Sequence, residues 1–269
     1  MSNLNEHAGM LLARIREQRP LIHQITNYVV MTDTANVTLH IGASPVMAHA
    51  PEEVEEMVQI AGALVLNYGT LSTPWIEAMI LAGKQANKSG IPVVLDPVGA
   101  GATRLRTETG HRLLRALKVA IVRGNAGEVG ALSGSGGEVK GVESVGATES
   151  AVDLARNAAK QWNTVVAVTG ARDVISDGQR VLGVDNGHEW LQARTGTGCA
   201  ATAVTAAFAA VEPDCVVAAA SALAVYGLAA ELAARKANGP ASFGVAFFDQ
   251  IYNLTPEMVA EGARIVELV

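Results

Sequence analysis

The sequence predicts an α/β fold in which a central, mostly parallel sheet is flanked by helices on both faces. The main observation is that short apolar runs rich in β-branched residues alternate with longer amphipathic segments. Strands of a parallel sheet give such runs because helices bury them on both faces. A second observation is the helix punctuation between the runs, which fits a repeated strand–helix order. We expect one domain, residues 1–269, because no internal repeat or linker interrupts this order.

Four apolar runs are predicted as strands. They are residues 63–67 (ALVLN), 92–96 (PVVLD), 119–123 (VAIVR) and 164–169 (TVVAVT). Ser176-Asp-Gly178 is a hairpin signal, which predicts antiparallel strands at the edge of the sheet. From Arg194 to Val269 the pattern is almost entirely helical, with breaks at Gly239-Pro240 and Thr255-Pro256.

Capping residues predict where the intervening helices begin and end. Pro51 opens a helix with an acidic first turn. Thr73 is the predicted N-cap of the next helix, which Gly90 closes. Thr148 or Ser150 caps a later helix that runs to Trp162. The Gly- and Ser-rich segment 133–146 is predicted to be a loop within the domain.

Composition excludes several classes of protein. The 269 residues are 49% hydrophobic and 17% charged, unlike an intrinsically disordered chain. Two cysteines, Cys199 and Cys215, are too few for a disulfide scaffold. The net charge is 20 − 26 = −6 and no basic run is present, so we expect no nucleic-acid partner.

Neither apolar nor basic segments indicate a membrane or secretory protein. Residues 1–20 lack a basic region leading into an apolar core, unlike a signal peptide. Residues 215–230 are the most apolar stretch, but this stretch is short for a bilayer and rich in Ala. It fits a helix that is buried within the subunit or faces another subunit. We expect a cytoplasmic protein with reduced thiols and no membrane partner.

The segment Thr195-Gly-Thr-Gly-Cys-Ala-Ala-Thr202 carries the strongest local signal for chemistry. Gly196 and Gly198 precede a helix whose first N–H groups have no partner in the helix, so they can form an anion hole. A tight turn into a packed helix explains the glycines equally well. Cys199 lies in the first turn, where the helix dipole favours a thiolate. It can serve as a nucleophile, a weak base or a small packing residue.

Two acidic residues follow predicted strands. Asp96 begins Asp96-Pro-Val-Gly99, at the carboxyl end of a strand, where open α/β sheets bind ligands. Its carboxylate can hold Mg²⁺ or simply lie in a solvated turn. Glu128 stands three residues after Asn125, which is capping-box spacing, so it either caps a helix or orders the water shell of a metal. Thr169 ends another strand, in a place suited to nucleotide contact.

Two N-terminal segments mix apolar and hydrogen-bonding residues, as a pocket for a small heteroaromatic ligand does. They are residues 20–28, which include Asn27, and residues 42–49, which include Met47. Met47 can lie against a ring or a sulfur atom. The alternative is that Val46 and Met47 belong to a core strand.

Taken together, these motifs resemble the hydroxyethylthiazole kinase family of thiamine salvage. The resemblance covers nearly the whole chain in order. The motifs that carry it are residues 20–27 (PLIHQITN), 42–48 (GASPVMA), 96–99 (DPVG), 125–128 (NAGE) and 195–199 (TGTGC). The family belongs to the ribokinase-like superfamily, which implies a mostly parallel sheet flanked by helices.

The resemblance implies transfer of the ATP γ-phosphate to the hydroxyethyl oxygen of 4-methyl-5-(2-hydroxyethyl)thiazole. It also implies Mg²⁺ and a homotrimer with sites between neighbouring subunits. Position by position, the resemblance implies that Gly196, Gly198 and Cys199 form the catalytic anion hole. It implies that Asn27, Met47 and Gly196 contact the thiazole. It also implies that Arg123 and Thr169 contact ATP, while Asp96 and Glu128 organise Mg²⁺.

One position departs from the wider superfamily, whose members mostly carry an Asp base where this chain has Cys199. Phosphoryl transfer depends chiefly on positioning and charge stabilisation, so we expect a supporting role for the thiol. Pyrimidine kinases and hydrate dehydratases of the same fold are alternatives, against which Cys199 and the Met47 segment argue. A non-catalytic nucleotide-binding protein would not need both Asp96 and Glu128. Asn67-Tyr-Gly-Thr70 is not the glycine fingerprint of a nicotinamide dehydrogenase.

Overall fold

The computed structural model describes residues 4–135 and 150–268. In chain order the elements are α1 (Leu4–Gln18), β1 (Leu21–Ile25), α2 (Met31–Ile41), β2 (Ser44–Val46), α3 (Val54–Gln59), β3 (Ala63–Asn67), α4 (Thr73–Ser89), β4 (Val93–Asp96), α5 (Arg104–Ala116), β5 (Ile121–Asn125), α6 (Ala126–Ser133), α7 (Ala151–Trp162), β6 (Val165–Thr169), β7 (Asp173–Ser176), β8 (Val181–Val184), α8 (Thr197–Ala209), α9 (Cys215–Ala234), α10 (Pro240–Asn253), α11 (Pro256–Gly262) and β9 (Ile265–Glu267). The strands form one sheet in the order β2-β1-β3-β4-β5-β6-β7-β8-β9.

The sheet is parallel from β2 through β6 and antiparallel from β6 through β9. The predicted fold class is therefore confirmed. The predicted strand 63–67 matches β3, the runs 92–96 and 164–169 each begin one residue too early, and the run 119–123 lies two residues too early at both ends. The hairpin signal is also confirmed, since Ser176 ends β7 and Gly178 takes a left-handed φ of +92° in the turn to β8.

Helices cover both faces of the sheet. On one face, α1, α2, α8, α9, α10 and α11 share a core with alternate strand residues such as Ala63 and Val65. On the other face, α3 to α7 pack against the intervening residues, such as Leu64 and Leu66. Each central strand is thus buried on both sides, which explains its continuous apolar sequence.

Helix α9 is the apolar stretch singled out from the sequence. By length and composition it is the one helix among the described residues that could cross a membrane, but 78% of its apolar window is buried inside the protein. Side chains of α8 and of the sheet belong to the same core. Burial within the subunit therefore accounts for its composition, and a facing subunit is not needed to explain it.

Most predicted helix boundaries are confirmed. Gly90 is a left-handed C-cap with φ of 72°, and the Ser150 hydroxyl caps α7. The predicted N-cap Thr73 is wrong, because the Ser72 hydroxyl accepts the capping bond from Trp75 N. The start of α3 at Pro51 is also wrong: residues 51–53 form a turn, and the helix begins at Val54.

Two predictions fail at the ends of segments. The chain after Arg194 is not helical to its end, because β9 pairs with β8. Only Ile265 of that strand is buried, so its sequence carries little apolar signal. The predicted loop 133–146 begins too early, since Ser133 still belongs to α6. The rest of that loop from residue 136, and Thr148, lie outside the described residues.

Candidate active site

Polar residues gather where the parallel strands end. Asn67 of β3 pairs in register with Asp96 of β4, and Asn125 of β5 pairs with Thr169 of β6. Asn27 follows the end of β1. The carboxyl ends of parallel strands share one edge, and open α/β sheets bind ligands there. The same edge faces the first turn of α8, because Thr202 of that helix bonds to Asp96.

A chain of hydrogen bonds joins the acidic residue to the cysteine. Asp96 Oδ2 accepts bonds from Asn67 Nδ2 at 2.7 Å and from Thr202 Oγ1 at 2.8 Å. Asn67 Oδ1 in turn accepts from Asn27 Nδ2 at 2.8 Å. The same Asn27 amide donates to Cys199 Sγ at 3.5 Å. Three residues predicted for the site, Asn27, Asp96 and Cys199, are therefore brought together.

The tip of α8 is built on glycine. Gly196 is the N-cap with a left-handed φ of 89°, and no side chain caps the helix. The first helical bond recorded there runs from Ala200 N to Gly196 O at 2.9 Å. The amides of residues 197–199 therefore precede the helical ladder, as an anion site requires. The Tyr226 hydroxyl holds this turn from behind by donating to Thr197 O at 2.7 Å.

Arg123 lies against this helix tip. A Cβ added to Gly198 would stand 2.9 Å from Arg123 Nη1, so the glycine makes room for the guanidinium. The other terminal nitrogen, Nη2, donates to Thr169 Oγ1 at 2.9 Å. The two residues predicted to contact ATP therefore bond to each other, with their cation beside the free amides of α8. Such an arrangement stabilises negative charge that develops on a phosphoryl group.

Asp96 is buried and electrostatically strained. The pKa of its carboxyl rises from 3.8 to about 6, chiefly because the group is buried and in lesser part because of the charge of Glu128. Arg123 and the bonds from Thr202 and Asn67 oppose this rise. The carboxylates of Asp96 and Glu128 are thus balanced by one guanidinium, that of Arg123. A further cation bound beside Asp96 would favour the ionised form of its carboxyl.

Glu128 closes the capping box that its spacing predicts. Its Oε2 accepts from Asn125 N at 2.9 Å, while Glu128 N donates to Asn125 Oδ1 at 2.9 Å. Its Oε1 accepts from Gly99 N at 2.8 Å and so fixes the loop that follows Asp96. The capping interpretation is therefore confirmed. A role toward a metal remains compatible with it, because each carboxylate oxygen keeps a free lone pair.

The surroundings of Cys199 do not favour the thiolate that a helix N-terminus stabilises. The side chain lies in the first turn of α8 as expected, but burial raises the pKa of its thiol to about 12, and Asp96 adds to the rise. Asn67, Arg123 and Asn27 lower this pKa by less. Desolvation therefore outweighs the helix dipole, and the group is a neutral thiol at physiological pH.

Met47 lies just beyond the edge strand β2. The expectation that Val46 and Met47 belong to a core strand fails for both residues, because Met47 lies beyond the strand and Val46, which ends it, is only half-buried. The reason is that β2 is the short edge strand of the sheet. Gly196 lies against Val30, since an added Cβ would stand 2.7 Å from Val30 Cγ1. Contact of Met47 and Gly196 with substrate stays a prediction.

Three residues at this edge were missed by the sequence interpretation. Asn67 and Thr202 hold Asp96, and Arg106 donates to Tyr68 O, Val98 O and Gly69 O, which ties together the loops after β3 and β4. A signal existed for two of them. Asn67 is the one polar residue of the run ALVLN, and Thr202 stands one helical turn after Gly198.

A second concavity of about 690 Å³ lies at the opposite edge of the sheet. Its lining includes Pro92, Thr164 and Cys215, near the amino ends of the strands and the end of α8. None of the residues predicted for the site lines it. Since α/β sheets bind ligands at the carboxyl edge, the converging polar residues and not this cleft mark the functional site.

Comparison with known proteins assigns the chain to a family. The model of the hydroxyethylthiazole kinase family matches residues 12–257. The chain is 67% identical over 267 residues to the hydroxyethylthiazole kinase of Roseiflexus sp. (strain RS-1), covering 99% of each chain. The chain belongs to the hydroxyethylthiazole kinase family. The family resemblance stated from the motifs is thereby confirmed.

Solved structures agree with this family. The structure of a hydroxyethylthiazole kinase protein from Pyrococcus horikoshii OT3 matches with a TM-score of 0.91 at 46% identity, covering 98% of this chain and 100% of the other. A ribokinase-like superfamily protein from Enterococcus faecalis V583 matches with a TM-score of 0.65 at 12% identity, covering 88% of this chain and 87% of the other. At such low identity the second match supports the fold alone, and it confirms the ribokinase-like architecture.

Proposed function

We propose that this chain transfers the γ-phosphate of ATP to the hydroxyethyl oxygen of 4-methyl-5-(2-hydroxyethyl)thiazole. Family membership supports the reaction. The observation that carries the mechanism is the position of Arg123 against Gly198, beside the first amides of α8 and close enough to the buried Asp96 carboxylate to lower its pKa. A cation, a set of amides and a carboxylate at one point are the parts that phosphoryl transfer uses.

The tip of α8 binds the migrating phosphoryl group. Amides of residues 197–199 donate to its oxygens, and the Arg123 guanidinium, held by Thr169, neutralises charge at the same place. Because the transition state is loose, charge stabilisation and positioning account for most of the catalysis. Gly196 and Gly198 serve by leaving space where a Cβ would stand.

Asp96 and Glu128 would hold Mg²⁺, directly or through water. Carboxylate oxygens are the ligands that Mg²⁺ prefers, and Mg²⁺ in ATP-dependent enzymes rests on one or two carboxylates plus phosphates. This limited requirement suits a chain whose described residues contain no group of three or more acidic, His or Cys side chains placed to hold a metal ion. When bound, the ion offsets charge on the phosphates. Both Glu128 oxygens already accept backbone N–H groups, so Glu128 acts through water.

The acceptor alcohol lies on the side of Asn27, Met47 and Cys199. The Asn27 amide faces Cys199 Sγ, and Met47 supplies a soft apolar surface for a thiazole ring. Cys199 stays a thiol and takes a supporting role, because its high pKa makes it a poor base at neutral pH.

A homotrimer in the cytoplasm completes the proposal, and residues 1–269 act as one domain. The faces of α2 and α10 support an interface between subunits, since Leu39, Val245 and Tyr252 are 53%, 68% and 66% exposed. Both cysteines are free thiols, as the reducing cytoplasm requires. Light scattering on the purified protein measures the number of subunits.

Incubation of the protein with Mg·ATP and the thiazole alcohol tests the function. We expect the phosphorylated thiazole by mass spectrometry and stoichiometric ADP. The Arg123→Met variant should lose turnover, and Arg104→Met, in an exposed arginine of α5, should keep it. Phosphorylation of a different alcohol from a panel of pyrimidine and sugar alcohols, with none of the thiazole, would overturn the proposal.

A further inference from the structure

Asn67 occupies the centre of the hydrogen-bond network at the carboxyl edge. Its side chain is buried, and its amide makes three bonds. Nδ2 donates to Asp96, while Oδ1 accepts from Asn27 Nδ2 and from Gly69 N at 3.0 Å. A buried polar network that is satisfied in this way holds its members in one arrangement.

The orientation of each side-chain amide in this network is fixed by partners that can only donate or only accept a hydrogen bond. Gly69 N only donates, so it holds Oδ1 of Asn67, and an ionised Asp96 only accepts, so it holds Nδ2. With Asn67 fixed, Asn27 must present its NH₂ group to Asn67 Oδ1. Val29 N reinforces this orientation by donating to Asn27 Oδ1 at 3.1 Å.

The orientation of Asn27 also sets the hydrogen bond to Cys199, on the side of the site proposed for the acceptor alcohol. Because the Asn27 NH₂ group faces Asn67, its second hydrogen is directed to Cys199 Sγ. The sulfur therefore acts as an acceptor, and its own hydrogen stays free to donate to a neighbouring oxygen. We propose that Asn67 is a positioning residue that acts through Asn27 and so orients Asn27 and Cys199 toward the acceptor alcohol. The same Asn67 side chain also holds Asp96.

This inference rests on the proposed phosphotransfer and predicts a selective defect. Asn67→Ala should lower kcat/KM for the alcohol at least about tenfold, because the Asn27 amide loses its fixed partner. The Kd for ADP, measured without the alcohol and without Mg²⁺, should stay within about twofold, since Arg123 and the tip of α8 are untouched. Asn87→Ala is a control for the loss of a side-chain amide: Asn87 donates to Lys118 O and accepts from Lys118 N, two bonds against the three of Asn67, at the opposite edge of the sheet.

A double-mutant cycle tests whether Asn67 acts through Asn27. We expect Asn67→Ala to lower kcat/KM by a clearly smaller factor in the Asn27→Ala background than in the wild type, and the residual loss reports the bond from Asn67 to Asp96, which does not pass through Asn27. Additive losses, or an Asn67→Ala loss that falls equally on ADP binding and matches the Asn87→Ala control, would overturn the inference. If Asn67→Ala does not fold, Asn67→Ser enters the same cycle, because its hydroxyl can still accept from Gly69 N.

The cycle is measured with the alcohol that the wild type phosphorylates. A wild type that phosphorylates another alcohol refutes the proposed substrate, while the cycle with that alcohol still decides the role of Asn67. The two failures are thus distinguishable.

Discussion

Replacing Gly198 with Ala should separate catalysis from stability. Gly198 lies in the first turn of α8 and is not among the glycines with positive φ, so the backbone accepts a side chain there. Alanine is favoured over glycine within helices by about 0.5–1 kcal/mol. We therefore expect the variant to unfold at the wild-type temperature or slightly above it.

The same substitution displaces the catalytic cation. The new Cβ would stand 2.9 Å from Arg123 Nη1, while ordinary contact begins at 3.4 Å, so the guanidinium must retreat by 3.4 − 2.9 = 0.5 Å. Retreat of Nη1 also strains the bond from Nη2 to Thr169. Misplacement of a catalytic group by about 1 Å can cost about 100-fold, so we expect a loss of about tenfold or more in kcat/KM for ATP.

Steady-state kinetics and thermal unfolding by circular dichroism measure the two effects in parallel. Gly90→Ala is a suitable control, since Gly90 has a left-handed φ of 72° with open space around it and lies far from the site. That variant should lose about 1 kcal/mol of stability and no activity. Wild-type kcat/KM in Gly198→Ala would refute the placement of Arg123 at the phosphate.

Three further predictions concern the titratable residues. The pKa of Asp96 is about 6 in the folded protein and 3.8 in the unfolded chain, so the folded state loses stability as pH rises from about 3.8 to about 6. At pH 7.5 the ionised carboxylate therefore lowers the free energy of unfolding by about 3 kcal/mol. Without Mg²⁺, Asp96→Asn should then raise the unfolding temperature at pH 7.5 and leave it unchanged at pH 4, and a gain that is equal at both pH values contradicts this cause. Glu128→Ala should remove turnover while the nucleotide Kd stays within a few-fold, and the loss of its capping box should cost about 1–2 kcal/mol of stability. Ser150→Ala, which removes the N-cap of α7, is the control for the capping effect. A loss of nucleotide affinity equal to the loss of turnover would favour a binding role for Glu128 instead. Cys199→Ser and Cys199→Asp should both retain turnover at fixed ATP, since the thiol is neutral; loss of turnover in both, with ATP still bound, would give the thiol a chemical role.

The central strands could be predicted from the sequence because burial on both faces leaves a continuous apolar run. Strand β3 shows this most clearly, since all five of its residues are buried. Strand β9 could not be predicted, because its place depends on pairing with β8 and only Ile265 is buried. Strand β1 is obscured in the same way by two buried polar residues, His23 and Gln24, whose partners lie elsewhere in the chain.

For the site, the sequence indicates which residues lie at the carboxyl edge of the sheet but not which of them form hydrogen bonds with one another. Asp96 and Thr169 were found because strand ends share one edge of the sheet. Their partners follow from distant chain segments: Thr202 lies 106 residues from the Asp96 to which it donates. The state of Cys199 shows the same limit. Its place in the first turn of α8 suggests a thiolate, whereas burial and the neighbouring Asp96 decide for the thiol.

A crystal structure with Mg²⁺ and a non-hydrolysable ATP analogue tests the central claim most directly. The account predicts the γ-phosphate within hydrogen-bond distance of the amides of residues 197–199 and of the Arg123 guanidinium. It also predicts that the metal lies on the side of Asp96. A γ-phosphate bound elsewhere, for example in the cleft near Thr164 and Cys215 at the opposite edge, would contradict it.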